Sequence, residues 1–146
     1  MIQRIQTIFL LLTGAAFAAL LVFPFATSSP AGDEVSIFAD GRYSIQDHLI
    51  LEILSLAGIL LAFVNIFLFR KRKTQLRLGY FLMILSILIP VVAYLYFTNQ
   101  AMTIGDAPID DGVGIFLPIA SLISAFLANH FIRKDEKLVR SMDRLR

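Results

Sequence analysis

One formally charged side chain, Glu52, stands inside an apolar run of this chain. His48 precedes it by four residues, so on a helix the two share a face. A carboxylate within a membrane helix is a candidate proton- or cation-binding group, here at the outer mouth of a bundle. The competing reading is an interfacial Glu held by His48 or Tyr43. Depth bears on the choice: an acid at the centre of a span costs about 2.5–3.5 kcal/mol on insertion scales, but Glu52 lies only about one turn inside the run's start at Leu49. Asn65, Asn129 and His130 form a second set at the opposite end of the runs. They are a candidate polar cluster, although such residues more often cap helix ends and meet headgroup water. Asp106, Asp110 and Asp111 offer carboxylates without the spacing of an EF-hand loop, and read as solvated loop charge. His48 and His130 fall on opposite sides, and metal-ligand spacing is missing throughout. With no cysteine, disulfide exchange, thiolate metal sites and thiol nucleophiles are excluded. No catalytic constellation, cofactor or metal is expected.

The elements that position these residues follow from hydropathy. Charged residues make up 16% of the 146-residue chain, against about a quarter in a soluble domain. The apolar runs cover residues 8–25, 49–69, 78–97 and 113–132. Each is close to the roughly 20 residues that a helix needs to cross a bilayer, and too long for strands of a membrane barrel. A soluble four-helix bundle requires a polar stripe on every helix. Ile8, Phe9, Leu10, Leu11 and Leu12 leave the first run without one. The first apolar core is also longer than the h-region of a signal peptide, so an uncleaved helix is expected. The fold expected is all-α: a single domain over 1–146, with transmembrane helices near 3–25, 46–69, 76–98 and 112–134 and a tail over 135–146.

Charge sets the topology. Every Lys and Arg except Arg42 lies before the first run, between the second and third, or after the fourth. The connections are short, the regime in which positive charge marks the cytoplasmic side. The expected arrangement is therefore a multi-pass protein of the bacterial cytoplasmic (inner) membrane with both termini inside. Asp33, Glu34, Asp40, Asp47, Asp106, Asp110 and Asp111 lie outside. Arg70, Lys71, Arg72, Lys73, Arg133, Lys134, Lys137, Arg140, Arg144 and Arg146 make a basic inner face that attracts anionic lipid headgroups and is a candidate surface for a membrane or cytoplasmic protein partner. Nucleic acid is not expected, because the Arg70–Lys73 run is topogenic and lacks aromatic interleaving.

Local signals refine the picture. Gly14, Ala15, Ala18 and Ala19 thin the first helix, and Gly58 and Ala62 the second, as close helix packing requires. In the first outer loop, 34–39 and 42–45 read as two extended segments around a type I′ turn at Asp40-Gly41, and Ser44-x-x-Asp47 as a capping box. Pro90 predicts a kink in the third helix. Leu138, Val139, Met142 and Leu145 give the tail the apolar face of a short amphipathic helix, which either extends the fourth helix or lies on the inner headgroups.

The opening residues Met1 to Thr7, the closing residues Ile132 to Arg146 and the basic loop between the second and third helices resemble an uncharacterised family of small four-helix integral membrane proteins of Bacteroidota. The resemblance implies a cytoplasmic-membrane protein and carries no catalytic role. The function expected is that of a non-enzymatic scaffold or accessory subunit working through the basic face. The alternative is a small transporter or channel subunit that uses Glu52.

Overall fold

A computed structural model of the chain describes residues 3–28, 40–69, 71–100 and 109–143. It is predominantly helical: α1 spans Gln3–Leu20, α2 Leu49–Phe67, α3 Arg72–Gln100 and α4 Leu117–Asp143. Helix α1 packs on α2 and α4, and α3 packs on the same two, so the four close a ring. Helices α2, α3 and α4 are each long and apolar enough to cross a membrane. The apolar part of α1, Ile5–Leu20, is shorter than that. It stops before Phe25 because Pro24 disfavours helical geometry in the residue ahead of it.

Size is sorted opposite to a soluble bundle. Small residues fill the contacts: the backbone of Gly58 admits the Phe17 ring, and Gly14 faces Ala62. Large side chains such as Leu60, Phe63, Phe81 and Phe126 are exposed on the outer faces, which suits a lipid solvent. Buried hydroxyls satisfy themselves locally. Thr13 donates to Phe9 O at 2.8 Å and Ser86 to Leu82 O at 2.9 Å. Ser55 ties α2 to α1 by donating to Phe17 O at 2.8 Å.

A three-stranded antiparallel sheet lies at one end, built from β1 (Ala26–Ser28), β2 (Arg42–Tyr43) and β3 (Ile109–Asp111) in the order β2-β1-β3. Residues 34–39, the first segment of the expected hairpin, lie outside the described residues; its second segment, Arg42–Tyr43, pairs with the segment that follows α1, with Ala26 opposite Tyr43. Gly41 has a φ of 73°, as the second central residue of a type I′ turn requires. Asp110 and Asp111, expected as solvated loop charge, are exposed strand residues paired with Thr27 and Ala26. Gly112 and Gly114 permit this approach. Their N–H groups donate to Phe25 O at 2.8 Å and Pro24 O at 2.9 Å, and a Cβ on either would lie within 2.5 Å of Pro24 O.

Two helices differ in extent from expectation. A 3-10 turn over Ile45–Asp47 precedes α2, and Ser44 N–H donates to the Asp47 carboxylate at 2.5 Å, the carboxylate half of a capping box. Of the two arrangements expected for the tail, the described residues take the first: α4 runs unbroken to Asp143. Pro118 sits in its first turn, where no intrahelical donor is required.

Candidate functional site

At the sheet end, Tyr43 organises an aromatic cluster. Its hydroxyl donates to Ala93 O on α3 at 2.7 Å, and its ring meets Phe25, Phe97 and His48. Burial pushes the phenol up to about 12, helped by the Asp47 carboxylate and by Tyr96, so it remains a neutral donor. Burial also raises the Asp47 carboxyl; hydrogen bonds from Ser44 oppose this, Asp40 adds to it, and His48 lowers it. A cavity of about 300 Å³ lies beside this cluster, lined by Phe25, Tyr43, Pro90, Phe97, Asp111 and Ile115 among others.

His48 and Glu52 stand close in sequence but do different things. His48 forms the N-cap of α2, and its ring stacks on Tyr96 with centroids 4.0 Å apart. Its Nε2 is buried without a hydrogen bond. Glu52 is half-buried in the first turn of α2, where the helix dipole favours a carboxylate. Its N–H donates to His48 O at 3.2 Å, but among the described residues no hydrogen bond or ion pair joins the Glu52 carboxylate to His48 or Tyr43. Glu52 does not line the cavity beside Tyr43, nor the clefts of about 220 and 630 Å³ between the helices.

At the other end the four helices each contribute one carboxamide: Gln6, Asn65, Gln75 and Asn129, all buried. Gln6 Nε2 donates to Phe131 O on α4 at 3.3 Å. Gln75 Nε2 donates to Asn65 O on α2 at 3.2 Å. Asn129 Nδ2 approaches Met83 Sδ at 3.8 Å, and its amide occupies the space beside Gly79, where a Cβ would lie 1.9 Å from Oδ1. Both polar atoms of the Asn65 side chain and Asn129 Oδ1 are buried without a partner. Such groups are rare and point to bound water or a ligand. The expectation that Asn65 and Asn129 cap helix ends in headgroup water is thus overturned, since both are enclosed. His130 is exposed and edge-on to Phe131, outside the cluster. Gln6 and Gln75 were missed because polar residues flanking an apolar run read as solvated. The signal was the inward spacing of Gln6, Leu10, Thr13 and Phe17, and of Gln75, Gly79, Leu82 and Ser86, all buried.

The basic residues gather around this same end. Arg72 clamps the start of α3 to α4: Nη2 lies 3.0 Å from Asp135 Oδ2, and Nη1 donates to Asp135 O at 3.1 Å. Arg133 lies over the Tyr80 ring, 5.4 Å from its centroid. Lys71, Lys73, Lys134 and Lys137 are exposed. Arg70, Arg144 and Arg146 lie outside the described residues, as do Asp106 and the side chain of Arg140.

Comparison with curated proteins and with solved structures finds no match. The model of one protein family, Domain of unknown function (DUF4293), matches residues 2–145, and the chain therefore belongs to that family.

Proposed function

We propose that this protein is a non-enzymatic scaffold or accessory subunit of the bacterial cytoplasmic membrane, with four transmembrane helices, both termini inside, and a basic cytoplasmic face as its working surface. The observation that carries the reading is the unbroken α4. Its 27 residues extend for about 40 Å at 1.5 Å per residue, against about 30 Å of hydrocarbon. Its last turns therefore project from the bilayer as a rigid rod, braced against α3 by Arg72 and Asp135 and bearing the exposed Lys134 and Lys137. A rod fixed to the bundle presents its charge at low entropic cost to a partner. In this reading α1 crosses the bilayer together with the turns at Leu21–Phe23 that continue it toward Phe25. The test is affinity capture from membranes in mild detergent, with the full chain and with a chain ending at Lys134. Partners captured only by the full chain support the role; identical partner sets remove it.

A second reading, a small transporter or channel subunit, draws on Glu52, a half-buried acid without a partner among the described residues. Flux through reconstituted protein that disappears in Glu52→Gln supports it, and flux indifferent to the substitution ends it.

A further inference from the structure

A cleft of about 630 Å³ opens between α1, the end of α2 and the start of α3, lined by Gln6, Ile8, Ile66, Phe67, Phe69 and Gln75 among others. Its walls and its floor differ in chemistry. Ile8, Phe67 and Phe69 are 55%, 69% and 49% exposed, so the walls face acyl chains. Gln6 and Gln75 are only 5% and 3% exposed. Each is pinned by its amide nitrogen, which must face the carbonyl it donates to. Their Oε1 atoms have no partner among the described residues and are not sealed from the cleft. The floor thus offers two fixed acceptors and no formal charge. Behind it lies Asn65, fully buried with an unpartnered side chain. Lys71 stands at the rim, two residues from Phe69, and is exposed.

We infer that this cleft is a site for a phosphatidylglycerol molecule of the leaflet at the basic end, its glycerol hydroxyls donating to Gln6 and Gln75 Oε1, its phosphodiester near Lys71 and an acyl chain along Ile8, Ile66 and Phe67. The headgroup is chosen by complementarity. Two acceptors require a donor, which phosphatidylcholine lacks. A cationic rim disfavours the ammonium of phosphatidylethanolamine, whereas phosphatidylglycerol combines neutral donors with a net negative charge. The site is distinct from a diffuse attraction of anionic lipid to the basic face, because it needs the two uncharged amide acceptors together with the cationic rim. It is also independent of the scaffold reading, since neither the tail nor a protein partner takes part.

The experiment uses the full chain in nanodiscs of phosphatidylcholine, phosphatidylethanolamine and phosphatidylglycerol in equal amounts, transferred to mild detergent, with retained lipid read by native mass spectrometry. Phosphatidylglycerol is expected to be enriched about tenfold over the other two, a difference of about 1.4 kcal/mol. Gln6→Met and Gln75→Met keep side-chain length, remove the acceptors and should abolish the enrichment. Ile8→Trp narrows the cleft from an exposed wall without disturbing the amides or the core, and should do the same while the melting temperature stays unchanged. No enrichment in the parent chain overturns the site. So does an enrichment that survives all three substitutions and is lost only on Lys71→Gln, because diffuse charge then accounts for it.

Discussion

Gly79 and Asn129 are a matched pair. An ideal Cβ on residue 79 would lie 1.9 Å from Asn129 Oδ1 and 2.6 Å from its Cγ, and the Asn129 side chain is buried. Gly79→Ala should therefore destabilise the bundle by about 1–3 kcal/mol, the usual range for overpacking. Asn129→Ala, which vacates the space, should restore most of the loss when combined with it; thermal unfolding of the single and double variants in detergent measures the coupling. Tyr43 makes a second prediction. Its phenol is pushed up from 10.0 to about 12 in the folded chain. The neutral form is the one folding favours, so this contribution is fully present below pH 10.0 and is lost as pH rises through about 12. Tyr43→Phe should lower stability at neutral pH by about 0.5–1.5 kcal/mol for the missing hydrogen bond and flatten the alkaline fall in melting temperature. An unchanged alkaline fall would mean that another group drives it. Residues of this kind were only half legible in the sequence. Glu52 and Asn65 stood out as polar residues within apolar runs. Gln6 and Gln75 did not, because at a helix end a polar side chain has the same sequence signature whether it points to water or inward.

At the scale of elements, the long helices were legible because continuous apolar runs leave one solution in a lipid solvent. The sheet was not. Its strands are two or three residues long, below the length at which alternation carries information, and come from three separate stretches of chain. Their pairing is set by helix packing, which brings the end of α1 beside the starts of α2 and α4. The length of α4 was half legible: the tail read as helix, but Arg133, Lys134 and Asp135 mark a membrane boundary by charge whether the helix continues or turns onto the headgroups. The brace across that boundary gives a third prediction. The Arg72–Asp135 pair is partly exposed, a setting in which a pair contributes about 0.2–1 kcal/mol and is weakened by salt. Asp135→Asn should leave the bundle's melting temperature nearly unchanged. It should accelerate amide hydrogen exchange over 135–143, and added salt should have the same effect on the parent chain. Protection unaltered by both treatments would show the projecting turns to be held by something other than this pair.

For the whole molecule the decisive property is the separation of charge between the two ends of the bundle. Arg72, Lys73, Arg133 and Lys134 surround the carboxamide end, while Asp40, Asp47, Asp110 and Asp111 surround the sheet. Antiparallel packing of neighbouring helices places them so, through contacts as local as Gln6 with Phe131 and Gln75 with Asn65. A single bilayer orientation follows if short-loop Lys and Arg remain on the cytoplasmic side. The chain supplies its own test, since without cysteine it gives no background to thiol labelling. Asp40 and Ser141 are exposed at opposite ends. In intact cells a membrane-impermeant maleimide should label Asp40→Cys and leave Ser141→Cys untouched until the membrane is opened. Labelling of both before opening would mean dual insertion, as expected of a chain with balanced loop charge. The reverse pattern would place the amide cleft and the projecting α4 outside the cell, and with them the surface on which the scaffold reading depends.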